Sequence, residues 1–348
     1  MHSNIEQEKI SVIIPTFNRA TFLPSAVKSV IDQKYKNIEI IIVDDGSDDD
    51  TQDVVNTLKK RCPNIIYCNN VRLKGPSGAR NSGIIKASGH YISFLDSDDT
   101  WIGDHLEKGV SILCKYPEID VVFGNYSIVD FDTKAHRYNF FDQKKILNSL
   151  KSTQIEPGVK ILNGNLFKAL LQENFFSIAS GIFRKSLIIK NLIDESVSLS
   201  EDRDFAIKLY KEANATFALR EKPLFIAYKH NANIDKPATN VLSDLGYFRR
   251  VLESHLYLFT KYLSTYDLSN EEKNLLNKLV AEKLSNLSYL YGKDREYMSA
   301  LFSMLKSFKY SFTLNQVKNI IKVLSTILLI IKIDVSGIKT IKKNNYTV

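Results

Sequence analysis

The sequence predicts an α/β protein: an open, mostly parallel sheet flanked by helices, followed by an all-helical C-terminal region. Three observations carry this reading. Short apolar runs alternate with segments of helical periodicity through the first 100 residues, the pattern of strand–crossover–strand units. Polar, conformationally permissive residues gather where those apolar runs end, and open α/β sheets bind ligands at the C-terminal ends of their strands. From about Asn240 onward the periodicity is wholly helical.

The elements follow in order. Ile10 to Pro15 is a short apolar run closed by proline, a buried strand. Leu23, Ala26, Val27, Val30 and Ile31 recur at helical spacing. Ile38–Val43 is a second strand, ending in Asp44-Asp45-Gly46-Ser47, and a helix through Val54, Val55 and Leu58 follows. Ile65–Tyr67 is a third strand, Ala79–Ala87 a helix, and His90–Leu95 a fourth strand that ends in Asp96-Ser97-Asp98-Asp99. Val121–Tyr126 is a fifth strand. Residues 130–165 are irregular and lysine-rich and read as a loop or insert. Glu201–Ala213 is a helix, and Thr216–Leu219 and Leu224–Tyr228 are short strands. Ser269-Asn270-Glu271-Glu272 is a capping box that opens one of the later helices. A break near 235–242 divides the chain into domains at 1–238 and 239–348.

With 348 residues, 44% hydrophobic and 25% charged, the chain has ordinary globular composition and room for about two domains. Cys62, Cys68 and Cys114 are odd in number and contain no CxxC pair, which argues against a disulfide framework or a thiolate zinc site. The opening MHSNIEQEKI is polar and lacks an apolar signal core, so a cytoplasmic location is expected. The net charge of +8 is unevenly placed: from Lys306 to Val348 eight lysines face one acid, Asp334, and the first 305 residues carry only +1. A nucleic-acid binder needs its basic surface on the nucleotide-binding body, which is nearly neutral, so nucleic acid is not an expected partner. The tail also holds the run Ile327–Ile331, too short to span a bilayer. An apolar face flanked by lysines suits a helix lying on an anionic membrane surface, or equally one packed on the body with its lysines solvated. The helices from 240 onward can also form a homo-oligomer contact.

Several constellations carry chemistry. Asp96 and Asp98, two residues apart in extended chain, can face one ligand together, and two hard carboxylates suit Mg²⁺ or Mn²⁺ on a diphosphate. The same turn also reads as a solvated cap for the helix near Trp101. Asp44-Asp45 could accept a hydrogen bond from a base or ribose, or form an ordinary turn. Gly75 to Gly83 is a glycine-rich turn running into a helix, where Arg80 could neutralise a phosphate. It fits neither a dinucleotide nor a Walker pattern. Glu201-Asp202-Arg203-Asp204 opens a helix, where acids also complement the dipole. His230 could be a metal ligand or a structural histidine.

In combination, SVIIPTFNRATFLPSAVKSVIDQ (11–33), EIIIVDDGSDDDT (39–51), GPSGARNSGIIKASGHYISFLDSDDTW (75–101) and SGIFRKSLI…LSEDRDFAIKL (180–209) resemble the family-2 glycosyltransferases with the GT-A fold, over about residues 10–230. The resemblance implies that Pro15, Thr16, Asn18 and Arg19 hold the nucleotide. It implies that Asp45 contacts the base, Gly78 and Arg80 the diphosphate, and Asp96 the ribose. Asp98 is then the metal ligand, with Asp99 the weaker alternative and His230 a looser match. Asp202 is the catalytic base, supported by Glu201. The expected activity is inverting transfer of a sugar from a nucleoside-diphosphate sugar, a UDP-sugar first, to a glycan or lipid-linked acceptor in surface-polysaccharide synthesis. The expected cofactor is divalent Mn²⁺ or Mg²⁺, and the expected site of action is peripheral, on the cytoplasmic face of the membrane. Two rivals remain. A nucleotidyltransferase would need a basic, glycine-rich triphosphate loop where the first strand here ends in Pro-Thr-Phe-Asn. A non-catalytic scaffold of the same fold is set against the intact Asp45, Asp96, Asp98 and Asp202.

Overall fold

The computed structural model describes residues 8–230, 241–294, 296–311 and 321. The chain divides into two compact units, Met1–Lys236 and Pro237–Val348.

The first unit opens with β1 (Ile10–Thr16), α1 (Leu23–Ile31), β2 (Ile38–Asp44), α2 (Thr51–Arg61), β3 (Ile65–Asn69), α3 (Pro76–Lys86) and β4 (Tyr91–Phe94). It continues through β5 (Thr100–Trp101), α4 (His105–Lys115), β6 (Val121–Asp130), β7 (His136–Asn139), α5 (Lys145–Ser149), β8 (Ser152–Glu156) and β9 (Val159–Leu162). It closes with α6 (Leu166–Gln172), β10 (Ile182–Arg184), α7 (Lys185–Ile188), α8 (Glu201–Ala213) and β11 (Phe217–Lys229). The second unit holds α9 (Val241–Thr265), α10 (Asn270–Lys293) and α11 (Tyr297–Ser307).

One sheet runs β3-β2-β1-β4-β10-β6-β11-β9-β8, with β5 against β11 and β7 against β6. Strands β3, β2, β1 and β4 are parallel; β10 enters antiparallel between β4 and β6. All seven residues of β1 are buried, as a strand covered by helices on both faces requires. Pro15 is tolerated in this central strand because pairing with β4 stops at Ile13, so the missing N–H is not needed on that side. In α1, Leu23, Ala26, Val27 and Val30 form one buried stripe against the sheet, and a proline sits in its first turn. Helix α3 departs from this pattern: it buries Ser77, Arg80, Asn81 and Ser82 along with Ala79 and Ile84. It also lies close on β1, where a Cβ added at Gly83 would stand 2.4 Å from Ile13 Cγ2.

Residues 130–165 are not a loop. They contain β7, the short α5 and the β8–β9 hairpin. These strands have weak local signals, and they exist because β7 pairs with the exposed end of β6 and β9 pairs with β11. The two short strands expected at 216–219 and 224–228 are one strand, β11, with register shifts on either side of Pro223. In the second unit, Leu258, Phe259, Tyr262, Leu276, Val280, Leu284, Ala300 and Met304 are buried. The expected capping box is present: Glu272 N donates to Ser269 Oγ at 3.2 Å and Ser269 N to Glu272 Oε2 at 3.0 Å. Among the described residues no helix is long and apolar enough to cross a membrane. The basic tail, and with it the expected membrane-facing helix, lies outside the described residues apart from its first few positions.

At the N-terminal ends of the strands, opposite the acidic turns, Glu39 ties three segments together. Its carboxylate accepts Lys9 Nζ at 2.7 Å, Ser11 Oγ at 2.5 Å, Ser88 N at 2.6 Å and Ser88 Oγ at 2.8 Å. Burial alone would raise its pKa, but these donors outweigh burial and pull it from 4.5 down to about 2. A carboxyl depressed on folding stabilises above its unfolded pKa and loses that contribution as the solution is acidified through the folded value. Glu39→Gln is therefore expected to be less stable than wild type at neutral pH. The gap should narrow between about pH 4.5 and 2, as read from urea unfolding at a series of pH values.

Candidate active site

The three acids of the turn after β4 go to different partners. Asp96 Oδ1 accepts Arg80 Nη2 at 2.7 Å. Asp98 Oδ2 lies 3.1 Å from His230 Nε2 and 3.6 Å from Arg19 Nε. Asp99 faces away from both and accepts Tyr228 N at 3.1 Å. The reason lies in pairing: β5, directly after the turn, pairs Trp101 with Phe225 and Thr100 with Ile226 of β11, which carries His230, the residue after β11, back to Asp98. The His230 ring is stacked on Phe22 at 4.6 Å between centroids and meets the edge of Phe131 at 5.8 Å. Those rings fix the imidazole plane while Asp98 takes its Nε2.

Arg80 is the second focus. Only 5% exposed, it meets Asp96 through Nη2, and its Nη1 lies 3.5 Å from Glu201 Oε1. Burial would lower the guanidinium pKa, but Asp96, Glu201 and Asp202 outweigh it, so Arg80 stays charged. Its Nε is buried with no hydrogen-bond acceptor among the described residues. Asp202 sits in the first turn of α8 and accepts Ile178 N at 3.3 Å. Desolvation, then the Glu201 charge, push its carboxyl well above the ordinary range in spite of Arg80. The residue before this helix, Ser200, holds a left-handed φ of 66°, an uncommon conformation for serine that aims the first turn of α8 at Arg80.

The third part is a cavity of about 440 Å³ lined by Asp44, Asp45, Tyr67, Asn70, Arg72 and Lys74 among others. Asp45 accepts Asn70 Nδ2 at 2.6 Å and Gly75 N at 2.7 Å, so it orders loop 70–75 at the cavity wall. Asp44 is buried; it accepts Gly46 N, Ser47 N and the Tyr67 hydroxyl, and shapes the turn. Asn18, with a left-handed φ of 52°, accepts Asp48 N at 2.9 Å and donates its own N–H to Ser47 Oγ at 2.9 Å, clamping the ends of β1 and β2. Thr16 is 3% exposed, and its Oγ1 has no hydrogen-bond partner among the described residues. Gly78 lies beneath loop 70–75: a Cβ there would stand 1.9 Å from the Leu73 carbonyl oxygen, so close backbone approach requires glycine.

Arg80, Asp96, Glu201 and Asp202 are thus brought together, and Asp98, Arg19 and His230 form an adjoining group. Asp45, Asn18 and Thr16 belong to the cavity side. Tyr67, Arg72 and Lys74 were not expected, since they follow no motif. Among the described residues no group of three or more His, Cys, Asp or Glu side chains converges as a metal site. Asp98 and His230 supply one oxygen and one nitrogen donor within hydrogen-bond distance. That pair could hold a divalent cation whose other positions are taken by phosphate oxygens and water; the oxygen donor suits Mg²⁺ or Mn²⁺, the nitrogen donor the softer Mn²⁺.

A mostly parallel sheet with acids at the end of β2 and in the turn after β4, beside an arginine-bearing helix, belongs to the GT-A class of nucleotide-sugar folds. Residues 11–180 match the sequence profile described as Glycosyl transferase family 2, and this segment belongs to that family. The chain is 33% identical over 206 residues to the GalNAc(5)-diNAcBac-PP-undecaprenol beta-1,3-glucosyltransferase of Campylobacter jejuni, covering 59% of this chain and 60% of that protein. It is 42% identical over 120 residues to the UDP-Glc:alpha-D-GlcNAc-diphosphoundecaprenol beta-1,3-glucosyltransferase WfaP of Escherichia coli, covering 34% and 45%. The chain therefore spans 60% or less of the length of these relatives. Two solved structures share the fold. S. aureus TarS 1–349 in complex with UDP-GlcNAc aligns with a TM-score of 0.53 at 19% identity, covering 91% of this chain and 79% of that one. The Pyrobaculum calidifontis mannosyltransferase PcManGT in complex with GDP-Man and Mn²⁺ aligns with a TM-score of 0.52 at 15% identity, covering 92% and 81%.

Two outcomes follow from the charges. Arg80→Met leaves three carboxylates around a buried apolar side chain and should destabilise by about 3–5 kcal/mol in urea unfolding at neutral pH. Asp202→Asn should do the opposite. A carboxyl raised on folding stabilises below its unfolded pKa, and that contribution is lost as pH rises through the folded value. The amide keeps an acceptor for Ile178 N and carries no charge. The variant should therefore melt above wild type at alkaline pH, with the difference vanishing in acid.

Proposed function

We propose that the chain is an inverting glycosyltransferase that moves a sugar from a UDP-sugar to a hydroxyl of a glycan or lipid-linked acceptor in surface-polysaccharide assembly. The observation that carries this reading is the convergence of Arg80, Asp96 and the Glu201-Asp202 helix start beside Asp98 and His230. Residues 1–238 are the catalytic domain in this reading, and 239–348 a helical region with a basic tail. The undecaprenol-diphosphate-linked acceptors named for two relatives support a lipid-linked acceptor and peripheral action at the cytoplasmic membrane face. The tail's eight lysines against one acid support contact with anionic lipid.

The chemistry divides among these side chains. Asp45 and its cavity take the base, Asn18 and Thr16 border the ribose side, and Asp96 accepts a ribose hydroxyl while held by Arg80. Asp98 and His230 would hold a divalent cation, Mg²⁺ or Mn²⁺, which supplies positive charge to the departing diphosphate. Arg80 and Arg19 are protein cations on the same side, placed to stabilise charge that grows on the leaving group in an oxocarbenium-like transition state. Asp202 takes the proton of the acceptor hydroxyl as its oxygen attacks C1 opposite the diphosphate, which inverts the anomeric centre. Its raised pKa makes it a stronger base once ionised, and Glu201 contributes to that elevation.

The test is thermal unfolding with UDP, GDP or CMP, each with and without Mn²⁺. UDP with metal at about 100 times its Kd should stabilise by roughly 2.7 kcal/mol, a shift of about 5–10 °C. Asp98→Asn should lose the metal-dependent part of that shift. Asp202→Asn should keep it and lose transfer by about 10²–10⁴-fold. Absence of any nucleotide shift in wild type would overturn the transferase reading.

A further inference from the structure

Between α7 and α8 the chain runs without regular structure, yet it is held by an unusual number of side-chain bonds. Asn81 of α3 is fully buried and reads the backbone of this segment twice: its Nδ2 donates to Ile193 O at 2.8 Å and its Oδ1 accepts Ile193 N at 3.0 Å. Two residues on, the Glu195 side chain, 10% exposed, accepts Asn81 Nδ2 at 2.7 Å, Leu73 N at 3.1 Å and the Arg72 guanidinium through Nε. Lys208 of α8 donates to Leu192 O at 2.8 Å. The segment then enters α8 through the left-handed Ser200, and Glu201 and Asp202 follow.

The other end of this link is the nucleotide-side cavity. Arg72 lines it, and loop 70–75 is held on its far side by Asp45, through Asn70 and Gly75. Loop 70–75 therefore has two anchors: Asp45, in the cavity, and Glu195, seven residues before Asp202. A carboxylate this enclosed needs its donors, because a buried charge left unpaired costs several kcal/mol. A shift of loop 70–75 on ligand binding must carry Glu195 with it or strip it of two of its three donors, Arg72 Nε and Leu73 N.

We propose that Glu195 is a positioning residue that couples nucleotide-side loop 70–75 to the segment leading into Asp202, so that filling the nucleotide cavity orders the base. This rests on the reading of the cavity as the nucleotide site and of Asp202 as the base. Arg72 supplies the loop half of the link and Asn81 the fixed point on α3. Arg80, next to Asn81 on the same helix, faces Asp96 and Glu201, so the link and the charged centre share one rigid support.

Amide hydrogen exchange on the full chain, with and without UDP and Mn²⁺, tests the coupling. In wild type UDP should slow exchange at 70–75 and, by about tenfold, at 193–202. Glu195→Gln offers one acceptor oxygen and places an amide against Arg72; it should keep the UDP effect at 70–75 and lose it at 193–202. Arg72→Met removes the ion-pair part of the link while leaving Glu195 its Leu73 and Asn81 donors, and it should diminish the UDP effect at 193–202 even if the Glu195 variant folds poorly. The comparison is between bound and free forms of each variant, so a purely structural ion pair, which would change both alike, gives no difference. A UDP effect at 193–202 that survives in both variants overturns the proposal. Protection in wild type confined to 70–75 overturns the coupling and leaves the nucleotide site standing. No UDP effect at 70–75 in wild type overturns both.

Discussion

Arg80 is held at 5% exposure among Asp96, Glu201 and Asp202, carboxylates that arrive from two distant stretches of chain. The acid-rich centre depends on that one buried positive charge. Without it, the turn after β4 and the start of α8 would repel each other, and both would favour water over their present places. Burying a guanidinium is unfavourable by itself. Here its desolvation is offset by three nearby carboxylates, and theirs by it, although not in full. Asp202 is left with a raised pKa, first because it is desolvated and then because Glu201 and Asp96 stand near it. The protein's own residues thus leave a centre with more negative than positive charge, which a divalent cation would offset.

The adjoining group obeys a different constraint. Asp98 and His230 are 132 residues apart in sequence and meet because β5, only two residues long, pairs with β11. Phe22 and Phe131 then hold the imidazole by its faces and edges, so that its orientation follows from packing rather than from a ligand. The left-handed residues Asn18 and Ser200 stand at the entrances to the cavity and to α8. Strained backbone at such positions persists only where surrounding contacts over-determine it, and both residues are tied by neighbouring bonds: Asn18 to Ser47 and Asp48, Ser200 to Asp204.

Much of this was legible in the sequence, and the boundary of what was legible has a physical cause. Strands β1, β2 and β4 and helices α1 and α8 are fully buried or strongly amphipathic, so local composition announces them. The turn acids Asp45, Asp96 and Asp98 follow from their place at strand ends. The strands within 130–165 were missed because their stability comes from pairing with β6 and β11, which no local window contains. Gly78 is similar: its motif marks it, but its demand in the fold is close approach to the Leu73 carbonyl.

By itself the sequence determined the α/β alternation, the order of the acidic turns, the basic arginine helix and the separate helical region, because each is written in residues near one another along the chain. Only tertiary structure decided which acids meet which cations. Asp99 turns to β11 while its neighbour Asp98 turns to His230 and Arg19, and nothing in Asp-Ser-Asp-Asp distinguishes them. The same holds for Arg72, Asn81 and Glu195, whose partners lie more than a hundred residues apart. Electrostatic and hydrogen-bond partnership depends on distance in space and on burial, and both are set by strand pairing across the sheet rather than by sequence spacing.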